Sequence, residues 1–101
     1  MKILLVCNAG MSTSLLVEKM KEAAENRELD ILINAVSCGK FEDSFEEYDV
    51  VLLGPQIKYK EKSMRKIAEA KGTALDVVDS AAYGMVDGEK ALDQAIQLVK
   101  Q

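Results

Sequence analysis

The chain has 101 residues, 49% of them apolar and 30% charged, with a net charge of −4. That balance fits one globular domain spanning residues 1–101 and excludes, as a class, binders of duplex nucleic acid, whose phosphates require clustered Lys and Arg. Histidine is absent and the two cysteines, Cys7 and Cys38, lie far apart in sequence. This removes a histidine base, most zinc sites and a secreted disulfide framework. Neither a metal nor another cofactor is expected. The apolar run after Met1 is four residues long, too short for a signal peptide, and no stretch approaches the roughly 20 apolar residues of a membrane helix. A soluble, cytoplasmic monomer with free thiols is expected, with no segment of its own in a membrane.

In chain order, Ile3–Val6 is a continuous apolar run, as in a strand buried on both faces. An amphipathic helix follows from Leu15. Its stripe is Leu16, Met20, Ala23, Ala24 and Arg27, widened by Leu15, and Ser12, Thr13 or Ser14 serves as its cap. Ile31–Val36 is a second strand, and Asn34 within it suggests an edge. Phe41, Phe45 and Tyr48 share a face of a short helix over 40–48. Val50–Leu53 is a third strand. Pro55 then opens a helix with Ile57, Met64, Ile67 and Ala68 on its apolar side, and Gly72 stops it. Ala74–Val78 is a fourth strand, and 79–84 a loop or single turn. Asp87 caps a last helix that buries Ala91, Leu92, Ala95, Ile96 and Val99.

Strands alternating with helices across short turns predict an α/β fold. The expected form is a four-stranded parallel sheet of order 2-1-3-4 with helices on both faces. In that order the winding reverses between strands 1 and 3, and ligands bind beyond the carboxyl ends of the strands at such a reversal. Cys7-Asn8-Ala9-Gly10-Met11-Ser12-Thr13-Ser14 lies there.

A thiol at that place has two readings. It is a buried, inert cysteine, a common fate of this residue type. Or it is a nucleophile, because the amino end of a helix favours a thiolate and its unpaired N–H groups bind phosphate oxygens. Gly10 permits a left-handed turn, and Ser12, Thr13 and Ser14 add short donors. Met11, apolar in a polar loop, is either a core plug or a partner contact, and reads more as the latter. Cys38 has no such loop and reads as structural. Gln56, Tyr59, Asp79 and Tyr83 are expected on the rim of the crevice, with Gln56 or Tyr83 a candidate donor to a phosphate oxygen. Lys58, Lys60, Lys62, Arg65 and Lys66 form a basic group on the third helix. Glu42, Asp43, Glu46, Glu47 and Asp49 form an acidic one before strand 3. Both read as solvated faces, the basic one alternatively as a field that attracts a phosphorylated partner.

Cys7 to Leu16, opening a chain of this length, resembles the enzyme IIB component of the lactose/cellobiose (diacetylchitobiose) class of bacterial sugar phosphotransferase systems. Val51–Ile57, Val77–Ser80, Tyr83-Gly84 and Val86–Gly88 resemble further segments of that family, in order along the whole chain. The resemblance implies that Cys7 takes a phosphoryl group from a phosphohistidine of enzyme IIA. It would pass the group to a cellobiose-, chitobiose- or lactose-type sugar held by the membrane enzyme IIC. The backbone from Asn8 to Ser14 would cradle the phosphate. The rival resemblance is to low-molecular-weight tyrosine phosphatases and arsenate-reductase-like thiol enzymes, on a related flavodoxin-like three-layer fold. The phosphatases place Cys-x5-Arg in this loop. Here the corresponding position is Thr13, and Asp79 is the one rim candidate for their general acid.

Overall fold

The computed structural model describes residues 1–8 and 11–100, and the side chains of these apart from Met11 and Ser12. The expectations for Ala9 and Gly10, and for what the Met11 and Ser12 side chains touch, lie outside that set. Strands β1 (Lys2–Cys7), β2 (Leu32–Ser37), β3 (Val50–Leu53) and β4 (Ala74–Val77) form one parallel sheet of order β2-β1-β3-β4. Helices α1 (Met11–Asn26), α2 (Phe41–Ser44), α3 (Glu61–Glu69), α4 (Ser80–Gly84) and α5 (Gly88–Lys100) connect and cover the strands.

The alternation of side chains along β1 explains its unbroken apolar run. Ile3 and Leu5 point to a layer with Leu16, Val17 and Met20 of α1 and Ala91, Leu92 and Ala95 of α5. Leu4 and Val6 point the other way, to Phe41, Phe45, Ile57, Met64 and Ala68. Each large apolar side chain so buried contributes about 1.5–3 kcal/mol. Strand β2 is an edge, and Asn34 there donates from Nδ2 to Tyr48 Oη at 2.9 Å. None of the described helices is long and apolar enough to cross a membrane.

Several expected boundaries move, each for a local reason. Helix α1 starts at Met11, not Leu15, so Ser12, Thr13 and Ser14 lie in its first turn and none is its cap. Leu15 is 56% exposed, and Val17 takes the place in the stripe assigned to it. Arg27 lies just past the helix and turns outward to Glu89 and Asp93 of α5. Both carboxylates hold its pKa above the ordinary arginine value, Asp93 contributing most. The 40–48 helix is a single α-turn, Phe41–Ser44, between two 3-10 turns, with the Phe41 and Phe45 rings stacked at 5.0 Å. After Pro55 the chain makes a 3-10 segment, Pro55–Lys60, kinked at Ile57, and becomes α-helical only from Glu61. The segment from Ser80 is a short helix, α4, capped by Asp79 Oδ2 accepting from Ala82 N at 3.0 Å. Val99 is 41% exposed, and Leu98 packs against the core layer beside it.

Two turns show what ends the helices. Gly72 adopts φ +78° after α3, and Thr73 N–H reaches back to Ala68 O at 3.0 Å. After α4 the same left-handed position is held by Val86, φ +52°, while Asp87 N–H bonds Ala82 O at 2.8 Å. A β-branched residue is strained there by roughly 1–2 kcal/mol. The Val86 side chain packs on the α1–α5 layer, which offsets that cost.

Gly88 sets the distance between α1 and α5. A Cβ there would lie 2.6 Å from Met20 N and closer still to the Lys19 carbonyl. Both obstacles are backbone, so neither can swing aside. Gly88→Ala is therefore expected to cost about 2 kcal/mol or more in urea unfolding. Gly39→Ala, whose Cβ meets nothing within 4 Å, is expected to stay within about 0.5 kcal/mol of the parent. Equal midpoints for the two variants would refute the close approach.

Candidate functional site

The carboxyl ends of all four strands meet in step. Cys7 pairs with Ser37 in register, Gly54 N–H donates to Val6 O at 2.8 Å, and Val78 N–H donates to Leu53 O at 2.9 Å. Counting along β1, Cys7 shares the parity of Ile3 and Leu5, so its side chain faces the α1 layer. Thr13, in the first turn of α1, meets it there. Its Oγ1 donates to Cys7 Sγ at 3.3 Å, and both residues are fully buried. A sulfur beneath the amino end of a 16-residue helix lies at the positive end of the helix dipole. Thr13, expected as a short donor to a bound phosphate, donates here to the thiol. Asn8 and Ser14 are exposed at the mouth of the loop.

The second cysteine lies close by. Cys38 Sγ is 3.9 Å from Asn8 Oδ1, and Lys60 Nζ is 3.5 Å from Cys38 Sγ. Cys7 and Cys38 are not joined in a disulfide. Lys60 is drawn in from solvent, whereas Lys58, Lys62 and Lys66 are exposed. Arg65 is not part of a free basic face. Hydrogen bonding to Glu61 raises its pKa above the ordinary arginine value, and Asp76 and Glu69 add to this. The expected basic group therefore divides by environment.

Of the rim candidates, the structure joins two. Gln56 Nε2 donates to Tyr83 Oη at 2.6 Å, across the gap between the β3 exit and α4. Tyr59 stands 73% exposed with Lys60 Nζ 5.8 Å from its ring centroid, and touches neither of them through a hydrogen bond. Asp79 caps α4 and lies 3.7 Å from Lys90 Nζ, so its carboxylate is engaged in holding the rim.

The sequence reading overlooked Gln94. From α5 its Nε2 donates to Val77 O at 2.7 Å and Asp76 Oδ2 at 3.2 Å, while its Oε1 accepts from Asp79 N at 2.9 Å. One amide thus ties the end of β4 and the start of α4 to α5, and so fixes where Tyr83 stands. Met85, 81% exposed, was also overlooked. With Tyr59 and Leu15 it places exposed apolar surface on segments that follow the carboxyl ends of β4, β3 and β1. For Gln94 the only signal was a polar residue beside the apolar stripe of α5, common to many helices.

Comparison with known proteins gives consistent results. The family model for the lactose/cellobiose-specific IIB subunit of PTS systems matches residues 2–94. The oligo-beta-mannoside-specific EIIB component of Bacillus subtilis (strain 168) is 44% identical over 98 residues, 97% of this chain and 95% of that protein. The cellobiose-specific EIIB component of Lactococcus lactis is 40% identical over 102 residues, 96% of this chain and 94% of that protein. A lactose-specific EIICB component of Staphylococcus epidermidis is 27% identical over 93 residues, 90% of this chain but 16% of that longer protein. The solved lactose-specific IIB domain of Streptococcus pneumoniae superposes with a TM-score of 0.88 at 23% identity, over 97% of this chain and 96% of that one. A low-molecular-weight tyrosine phosphatase of Bacillus subtilis superposes at 0.58 and 17% identity, over 99% and 93%, a likeness of fold alone.

Gln94→Leu removes three bonds and leaves polar backbone atoms of Val77 and Asp79 in need of water. It is expected to cost about 2 kcal/mol in urea unfolding and to speed amide exchange at Asp79 more than in β1. Unchanged exchange at Asp79 would show that the amide does not hold this rim.

Proposed function

The chain belongs to the lactose/cellobiose-specific IIB subunit family of sugar phosphotransferase systems, and on that premise we propose that Cys7 is its phosphoryl-carrying residue. The observation that carries this is the fully buried Thr13–Cys7 hydrogen bond under the amino end of α1. It supports a reading in which helix N–H groups receive the three equatorial oxygens of a phosphoryl group on the sulfur. The backbone from Asn8 to Ser14 is the proposed cradle.

In the first step ionised Cys7 Sγ attacks phosphorus in line with the departing histidine nitrogen of enzyme IIA. The P–N bond breaks, its electron pair stays on the imidazole, and an S–P bond forms. In the second step a sugar hydroxyl oxygen, held by enzyme IIC, attacks the same phosphorus and the sulfur leaves as thiolate. This chain contains no histidine, so the phosphohistidine belongs to the partner. The sugar contacts belong to the permease. The EIICB relative, whose name joins the two components, supports the pairing with a membrane IIC. The protein acts in the cytoplasm as one domain, with exposed Leu15, Tyr59 and Met85 meeting its partners.

The phosphatase reading is weaker for a chemical reason. The tyrosine phosphatases clamp the transferring phosphate bidentately with the arginine of their loop. Thr13 occupies that position, and the two arginines of the chain, Arg27 and Arg65, are held by carboxylates away from it. A loop without the clamp binds the transition state for water attack poorly, which suits a carrier whose phosphothiol must survive until the permease accepts it.

Incubation with phosphorylated enzyme IIA is expected to add one phosphate by intact mass to the wild-type chain and none that lasts to Cys7→Ser. The adduct is expected to be labile to iodine, as a phosphothiol is. Turnover of p-nitrophenyl phosphate by the chain alone would instead support the hydrolytic reading, and no adduct would refute the carrier.

A further inference from the structure

We propose that Lys60 is the cation of the phosphoryl site, held beside the Cys7 loop by Cys38, and that its charge draws the phosphoryl equilibrium toward this chain. The proposal rests on the reading of Cys7 as the carrier. Cys7 pairs with Ser37 in register, so the residues that leave the two strands, Asn8 and Cys38, are neighbours. Cys38 Sγ lies 3.9 Å from the Asn8 carboxamide, and Lys60 Nζ lies 3.5 Å from Cys38 Sγ. Lys60 closes the 3-10 segment that begins at Pro55, directly after the β3 exit, where Gly54 N–H meets Val6 O. That path brings one ammonium of the basic group to the mouth of the loop, across Cys38 from the residue that follows Cys7.

The surroundings of this ammonium keep its charge available. Its near partners are a sulfur and the face of Tyr59, 5.8 Å from nitrogen to ring centroid, both soft and neutral. Arg27 and Arg65 are each held by carboxylates, as are Lys19, Lys71 and Lys90. Among the described residues no carboxylate pairs with Lys60. A carboxylate in the place of Cys38 would neutralise the lysine, whereas a thiol positions it and leaves it charged. A phosphoryl group carries close to two negative charges. Loading Cys7 therefore brings an anion to a mouth that already holds a half-buried cation, where water screens their attraction less than on an open face. No bond to Lys60 forms or breaks, and no proton moves. The phosphatases' arginine grips two oxygens at once, but a lysine is a point charge and fixes no such orientation. Cys38 acts only through Lys60 and is a positioning residue.

The equilibrium distribution of phosphate between enzyme IIA and this chain, read by intact mass, tests this. It counts only the free loaded and unloaded proteins, so a role of Lys60 in docking leaves it unmoved. Lys60→Met is expected to shift it about tenfold toward phosphorylated IIA at low salt, and less than about threefold in about 0.5 M salt. Lys60→Arg keeps the charge and is expected to stay within about threefold of the parent. Lys62→Met removes an exposed charge of the same basic group and is expected to stay within about twofold. Cys38→Ala is expected to shift the distribution about threefold, and to change the Lys60→Met protein no further, since it acts through the same group. A parent-like distribution in Lys60→Met, a shift that salt leaves intact, or an equal shift in Lys60→Arg or Lys62→Met would overturn the role of Lys60 while leaving Cys7 as carrier. Full additivity of Cys38→Ala with Lys60→Met would overturn the seat on Cys38. Absence of any adduct on the wild-type chain would overturn carrier and cation together.

Discussion

The covering of β1 on both faces is the constraint on which the rest of the molecule depends. A strand at the centre of a parallel sheet has no solvent side, so its residues commit alternately to two apolar layers. That commitment carries through to the last residue. Cys7 inherits the parity of Ile3 and Leu5 and so projects under the first turn of α1 instead of toward the layer of Phe41 and Phe45. Had the strand been one residue longer or shorter, the sulfur would face the other layer, away from the amino end of α1.

The second support is the seam between α1 and α5. Gly88 lets the helices approach until backbone meets backbone, and Arg27 closes the outer end of the seam on Glu89 and Asp93. Because α5 is seated by α1, Gln94 is delivered to the end of β4. The rim that bears Tyr83 is thereby referenced to the same helix that covers Cys7. Cys7 and Tyr83, 76 positions apart in the sequence (83 − 7), thereby share one frame.

Much of this was legible in the sequence where side-chain pattern and backbone demand coincide. Val50–Leu53 reads as a buried strand and is one, and the strand order follows from the alternation of elements and the handedness of crossovers. Misreadings gather where the pattern carries no signal. Three adjacent hydroxyls offer three equivalent caps, and the helix begins before all of them at Met11. The segment after Pro55 has helical spacing, but Ile57 departs from helical dihedrals and the first turns tighten to 3-10 geometry. Gln56 and Tyr83 were foreseeable as rim residues. Their contact was not, because a hydrogen bond across 27 positions is fixed by tertiary geometry and leaves no mark in either local sequence. Gln94 was hidden for the same reason.

Val86 shows a different kind of economy. A glycine would enter its left-handed turn without resistance, yet the chain keeps a branched side chain there because the neighbouring layer needs its methyl groups. The turn is a compromise between two local demands, and neither is met in full. Such a place is a reserve that evolution or a protein engineer can draw upon. If the surrounding layer were enlarged to fill the space by other means, the backbone could relax, and the molecule would gain firmness without any alteration to the sulfur, the loop or the rim.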